Sequence, residues 1–305
     1  MEQKSLYEKL VYTVDLRIPG FENTVPAGRV KQLNFTDRPV VEWFEEFVNK
    51  IIGAIGRGHF PVFRVCDGEF YFCVGYRLEY IPPGVNQLKW YLGNAYKYIK
   101  WQRYNTFWSG SVGYGFENYR GAEWSALRKE FVDYLREIGQ EGILAMAFFK
   151  TQERFAEQYH KPMCDWLEAN DILIDESNYY PFYFVYGLLN GGLRKTLLRG
   201  RRILIVTSLN QEKEKAIAEG LNRGGVQSYQ FIEITRNKAM TDKINLDSVK
   251  GPIDIVLIGA GVGAANIIHQ LRPLQTLCID AGYCLDLIAE PWRAGTRDYT
   301  KPDDE

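Results

Sequence analysis

Residues 64–70 read Arg-Val-Cys-Asp-Gly-Glu-Phe, so Asp67 and Glu69 stand one residue apart, directly after an apolar run and with a cation three residues ahead. Two carboxylates so placed can offer hard oxygen ligands to one side of a turn, where Gly68 tolerates backbone angles that other residues avoid. The pair suits Mg²⁺ or Mn²⁺ bridging a diphosphate. A metal there would neutralise charge on a departing nucleoside diphosphate, the part of sugar transfer that most needs electrostatic help. Arg64 could salt-bridge a carboxylate or reach a phosphate. The bare tripeptide also reads as a turn with exposed charge. Its place at the carboxyl end of a predicted strand, where open α/β sheets hold their ligands, favours the chemical reading.

A second constellation lies in residues 253–268, where Gly259, Gly261 and Ala264 follow an apolar run and open a helical one, with Asp280 ending the next strand-like run. Three readings fit this loop. It matches the NAD or FAD fingerprint of a tight turn, close backbone approach to phosphate and a helix N-terminus that favours negative charge. Only 25 residues follow Asp280, too few for another usual crossover and strand, so a complete two-halved dinucleotide fold would have to be circularly rearranged. It reads equally as a structural glycine turn, or as a loop whose amides from Gly259 to Gly263 steady a nucleotide-sugar phosphate or a sugar. Beyond it, Asp280 is placed to act as a general base or to cap a following helix, with Gly282 and Tyr283 beside it. Trp292, Arg293 and Arg297 could flank a sugar or phosphate, or belong to a surface tail.

The elements that must position these groups follow from hydrophobic spacing. Residues 1–38 hold no sustained period and read as an irregular arm. From Pro39, residues Val40, Trp43, Phe44, Phe47, Val48, Ile51, Ile52 and Ile55 recur at helical spacing, Gly56 and Gly58 stop them, and residues 60–66 follow as a buried strand. Residues 86–108 interleave four basic residues with seven Trp and Tyr residues, which reads as a helical insert with a buried aromatic face or as a sugar-stacking or membrane-interface surface. A helix near 123–138, a strand over 142–149 and a helix over 151–169 follow. Residues 179–189 are dense in aromatics around Pro181 and fit either strand or helix. Four strand-like runs, 202–207, 227–234, 253–258 and 275–280, alternate with helical ones, and Ser208 with Gln211 forms a capping-box pattern opening a helix through Leu221. Apolar strands joined by helices imply an α/β, Rossmann-like, mainly parallel sheet with helices on both faces.

Composition narrows the function. With 37 basic and 38 acidic residues the chain has no basic field for gripping nucleic acid. Five cysteines without a CxxC pair, and three scattered histidines, give neither a disulfide framework nor a zinc site. No P-loop and no Gly-x-Ser-x-Gly elbow occurs. No signal-peptide core and no stretch of membrane-spanning length stands out, so the expected location is the cytoplasm, with the inner face of the membrane open.

At residues 64–70 the chain resembles the GT-D fold glycosyltransferases, a bacterial family with an Arg-x-Gly-Asp-Gly-Glu-type motif after its first strand. Residues 202–207 resemble the strand before that family's second nucleotide-fold half, residues 235–239 (Thr-Arg-Asn-Lys-Ala) its Asn-Ala segment, and residues 256–283 its Gly-Pro-type loop and terminal Asp-x-Gly-His. The resemblance spans roughly residues 39–290, flanked by the arm and a tail over 291–305. It departs at Cys66, at Ala260 and at Tyr283, where the family has glycine, proline and histidine. It implies a metal-dependent enzyme using Mn²⁺ or Mg²⁺ on Asp67 and Glu69. Arg64, Gly68, Asn237, Lys238, Gly259, Gly261, Gly263 and Tyr283 would shape the donor site. The expected reaction moves a hexose from a nucleoside-diphosphate sugar such as UDP-glucose to a glycan, glycolipid or glycoprotein acceptor in cell-surface polysaccharide assembly. A nucleotide-cofactor enzyme using the 259–264 loop, and a non-catalytic adaptor of an assembly complex, are the rival readings.

Overall fold

The computed structural model describes residues 4–13, 30–33, 35, 38–75, 86–104, 121–148, 154–235 and 238–289. In chain order the elements are β1 (Leu10–Thr13), β2 (Val30–Leu33), α1 (Val40–Ala54), β3 (Phe60–Val65), α2 (Asp67–Val74), α3 (Gln87–Tyr104), α4 (Gly121–Glu141), β4 (Ile143–Met146), α5 (Arg154–Ala169) and β5 (Tyr179–Pro181). They continue with α6 (Phe182–Asn190), α7 (Arg194–Leu198), β6 (Arg202–Thr207), α8 (Gln211–Arg223), β7 (Ser228–Glu233), β8 (Ile255–Gly259), α9 (Ala264–Leu271), β9 (Leu277–Asp280) and α10 (Cys284–Ala289).

Seven strands form one sheet in the order β5-β4-β3-β9-β8-β6-β7, and every described pairing in it is parallel. The expected Rossmann-like α/β architecture is what the chain adopts. Alternate residues of the strands feed two separate cores, as the period-two geometry of a strand requires. Val256 and Ile258 of β8 pack with α2, α4, α5 and α9, while Ile255 and Leu257 pack with α1, α6, α8 and α10. All four of these β8 side chains are 0% exposed. Each contributes about 1.5–3 kcal/mol by burial, which is why central strands read as unbroken apolar runs.

Four details differ from the sequence reading. The arm is partly ordered, with β1 and β2 pairing antiparallel, Leu10 opposite Leu33. Leu6 and Leu33 enter the core. Neither Leu-Val-Tyr-Thr nor Val-Lys-Gln-Leu alternates apolar with polar residues, so no period-two pattern marks them. Residues 179–189 are both strand and helix: Pro181 closes β5 and, with φ −61, stands as N-cap of α6. Asn210, not Ser208, caps α8, its Oδ1 accepting the Lys213 N–H at 2.8 Å. Among the described residues only a single 3₁₀ turn, Leu246–Ser248, lies between β7 and β8, where a helix was expected.

Tight backbone approaches lock the layers. A Cβ at Gly142 would lie 1.9 Å from the Pro61 carbonyl oxygen, and one at Gly220 would lie 2.1 Å from that of Ile288. These glycines let β3 meet the end of α4 and let α8 meet α10 at backbone distance. Residues 105–108 of the aromatic insert and the tail from 290 onward, with Trp292, Arg293 and Arg297, lie outside the described residues.

Candidate active site

The carboxyl ends of β3, β6, β7, β8 and β9 open onto one cleft of about 1060 Å³. Its place follows from topology: β3 and β9 are neighbours in the sheet although 216 residues separate Arg64 from Asp280. The two carboxylate-bearing segments singled out in the sequence therefore meet across adjacent strand ends, the position where open α/β sheets bind ligands.

One wall is the β3–α2 junction. Cys66 is extended, and α2 begins at Asp67. Glu69 turns back so that its Oε2 accepts the Cys66 N–H at 2.8 Å, satisfying one of the helix's free donors. Asp67 is exposed at the cleft, whereas Glu69 is buried. Burial, reinforced by the nearby Asp280 carboxylate, pushes the Glu69 carboxyl up to about 8. Gly68 lies in the helix and is not among the positive-φ glycines, so the Asp-Gly-Glu segment is a helix start rather than the turn expected from its composition.

The floor is an ion pair. Arg64 donates from Nη2 to Asp280 Oδ1 at 3.3 Å, from Nε to the Asp280 carbonyl at 2.7 Å, and from its backbone N–H to Oδ2 at 3.3 Å. Its guanidinium carbon lies 5.2 Å from the Phe182 ring centre and 5.5 Å from that of Tyr186, within cation–π range. Burial penalises the Arg64 charge, yet Asp280, Tyr186 and Cys284 together hold it above its ordinary value. Burial also raises the Asp280 carboxyl, with Arg64 opposing that rise. Asp280, read from sequence as a general base or a helix cap, is the counter-ion of Arg64 in this cleft. Gly282, with φ +44, sits so close that a Cβ there would fall 1.7 Å from Arg64 Nη2. Only a glycine fits that corner.

The opposite wall combines the β8 loop with the start of α8. Gly261 has φ +55, which calls for glycine. Gly259 is required by packing, since a Cβ would stand 2.8 Å from Leu285 Cδ1 and 2.8 Å from Thr207 Oγ1. Thr207 Oγ1 in turn donates to the Gly259 carbonyl at 2.9 Å. Gly263 is equally a packing glycine, its missing Cβ answering the Ala239 backbone at 2.5 Å, and it does not line the cleft. Lys213 reaches the cleft from the first turn of α8 and pairs with Asp286 of α10 at 3.3 Å.

Of the residues proposed from sequence, Arg64, Asp67, Gly68, Glu69, Gly259, Gly261, Asp280 and Tyr283 share this cleft. Lys238 is exposed and stands apart from its lining, and Asn237 lies outside the described residues. Sequence reasoning missed Phe182, Tyr186, Lys213, Glu233 and Asp286, and assigned Gly282 no role. Only Lys213 carried a local signal, a cation three residues past an N-cap. Among the described residues no group of three or more His, Cys, Asp or Glu side chains is placed to hold a metal ion. No described helix is long and apolar enough to cross a membrane.

No family model and no curated protein matches the chain. Two solved structures are similar to it. One is the selenomethionine-substituted structure of domain of unknown function 1792, 14% identical, with a TM-score of 0.46, covering 83% of this chain and 85% of the other. The second is described as that same domain having a distinct glycosyltransferase fold, 12% identical, with a TM-score of 0.42 and the same coverages.

Proposed function

We propose that the chain is a glycosyltransferase that takes a hexose from a nucleoside-diphosphate sugar such as UDP-glucose and passes it to a glycan, glycolipid or glycoprotein acceptor in cell-surface polysaccharide assembly. The observation that carries this reading is the meeting, in one cleft at the strands' carboxyl ends, of the Asp67–Glu69 helix start with the Gly259–Gly261 loop and the first turn of α8. The cleft has the volume of a nucleotide-sized ligand site. Carboxylates on one side and backbone amides with Lys213 on the other can hold the two ends of a metal-bound diphosphate.

The donor set fits Mg²⁺ or Mn²⁺ delivered with the substrate. Such ions are commonly held by one or two carboxylates while phosphates complete the shell, so a preformed cage of three protein ligands is not required. Glu69, crowded by Asp280 and pushed towards neutrality, would be returned to the ionised state by a cation at Asp67. When bound, the metal would supply charge neutralisation for the leaving diphosphate. The chain's own residues do the rest. The Arg64–Asp280 pair fixes the β3 and β9 ends against each other, Glu69 pins the start of α2, and the α8 first turn orients phosphate.

The test is thermal stabilisation by a panel of UDP-, GDP-, dTDP- and CMP-sugars and of NAD and FAD, with and without Mn²⁺, on wild type and Asp67→Asn. One donor should stabilise the wild type only with Mn²⁺, and the variant should lose that response while keeping its unliganded melting temperature. Mn²⁺-independent stabilisation by NAD or FAD would replace this reading with that of a nucleotide-cofactor enzyme. A metal response unchanged in Asp67→Asn would remove the metal role of the pair.

A further inference from the structure

Eight large hydrophobic side chains stand exposed in the described residues, and five of them sit on α3: Leu88, Tyr91, Leu92, Tyr96 and Ile99, each between 44% and 69% exposed. At 3.6 residues per turn their positions fall within an arc of about 140°. Among the described elements none packs extensively along this helix. An apolar stripe of this kind, left facing water on one helix, marks an interaction surface.

The charge on the same helix indicates what covers it. Its sequence contains Lys89, Lys97, Lys100 and Arg103 and no Asp or Glu, within a chain whose 37 basic and 38 acidic residues otherwise balance. Pairing with a second copy of α3 would set four cations against four with no acidic partner on either helix. An anionic surface meets both features at once, taking the basic residues by attraction and the apolar side chains by burial. Tyr91 and Tyr96 of the stripe have the amphipathic rings that settle at the headgroup level. With 18 residues the helix is about 27 Å long, enough to lie flat over several headgroups. It lacks the apolar length to span a bilayer.

We propose that α3 docks flat on an anionic phospholipid membrane. This does not depend on the sugar-transfer reading, because its readout is vesicle binding and needs no turnover. The experiment is co-sedimentation of the full chain with vesicles of phosphatidylcholine alone and of phosphatidylcholine with phosphatidylglycerol, at low and high salt. Three proteins are compared: wild type, Leu92→Glu/Tyr96→Glu and Lys89→Glu. Wild type should partition to the phosphatidylglycerol vesicles at least about tenfold better than to the neutral ones, and salt should reduce that preference. The double variant should lose binding by at least about tenfold with an unchanged melting temperature, since both positions are exposed. Lys89→Glu should weaken binding to the anionic vesicles only. Equal binding by all three proteins, or none by wild type, would overturn the proposal. So would a concentration-dependent dimer that the double variant dissociates and that ignores vesicles, which would make a second copy the occupant.

Discussion

Replacing Asp280 by alanine removes the carboxylate that accepts two hydrogen bonds from Arg64 and leaves that buried side chain, 9% exposed, without its principal counter-ion. Breaking a buried ion pair from one side costs about 3–5 kcal/mol, because the remaining charge stays desolvated. For a chain of 305 residues, with an unfolding entropy of about 2.1 cal/mol/K per residue, that is a fall of about 5–8 °C in Tm. Arg64→Met keeps apolar contact with Phe182 and Tyr186 but strands the Asp280 carboxylate and the carbonyl that Nε reaches at 2.7 Å. In the double variant Arg64→Met/Asp280→Ala both charges are gone, so its loss should fall short of the sum of the singles by at least about 2 kcal/mol. Thermal and urea unfolding of the four proteins measures this coupling. Were the pair not holding the fold together, Asp280→Ala would melt with the wild type. That outcome, or strict additivity in the cycle, would refute the assignment of Asp280 as Arg64's counter-ion.

Three further expectations concern the scaffold. Gly53 lies inside α1 with no heavy atom within 4 Å of the place an added methyl would take, so Gly53→Ala should stabilise by about 1 kcal/mol, whereas Gly142→Ala, facing the Pro61 carbonyl at 1.9 Å, should destabilise by several times that in urea unfolding. Asn210→Ala should cost about 1 kcal/mol by loss of the α8 cap, and Ser208→Ala should cost little; the reverse order would restore the capping box read from sequence. Asp254, at the amino end of the sheet, is held below its ordinary value of 3.8 by the hydrogen bond from Arg202. A depressed folded pKa contributes stability above the unfolded value and loses it as pH falls through the folded one. Asp254→Asn should therefore lower stability at neutral pH and converge with wild type in acid; a constant difference across that range would rule out the linkage.

The sheet was legible because burial on both faces leaves its own mark. Residues 202–207 were read as a strand to the residue, and 253–258 and 275–280 to within two. The paired carboxylates were legible because the Asp-Gly-Glu segment follows one such run directly. How that segment meets the others in one cleft was not legible, because strand order makes the meeting. The placement of β9 between β3 and β8 brings Asp280 to Arg64, and α6 lays Phe182 and Tyr186 over them. No local spacing encodes that meeting. The arm strands and the missing helix between β7 and β8 escaped for the opposite reason, being too short or too irregular to carry a period.

In the glycine loop, packing accounts for residues that the sequence motif alone would give to a ligand. Gly259, Gly261 and Ala264 match a phosphate-binding spacing, with Gly263 also in the loop, and β8, α9 and β9 do form the adjacent parallel unit that such a spacing predicts. Yet two of the three glycines are accounted for by packing, Gly259 against Leu285 and Thr207 and Gly263 against Ala239. The acidic residue ending β9, which a dinucleotide would need for its ribose, is already engaged by Arg64. What remains open to a ligand at this loop is the backbone from Gly259 to Gly261, facing carboxylates across the cleft. Carboxylates opposite an open stretch of loop backbone are what the proposed metal-bearing ligand would use.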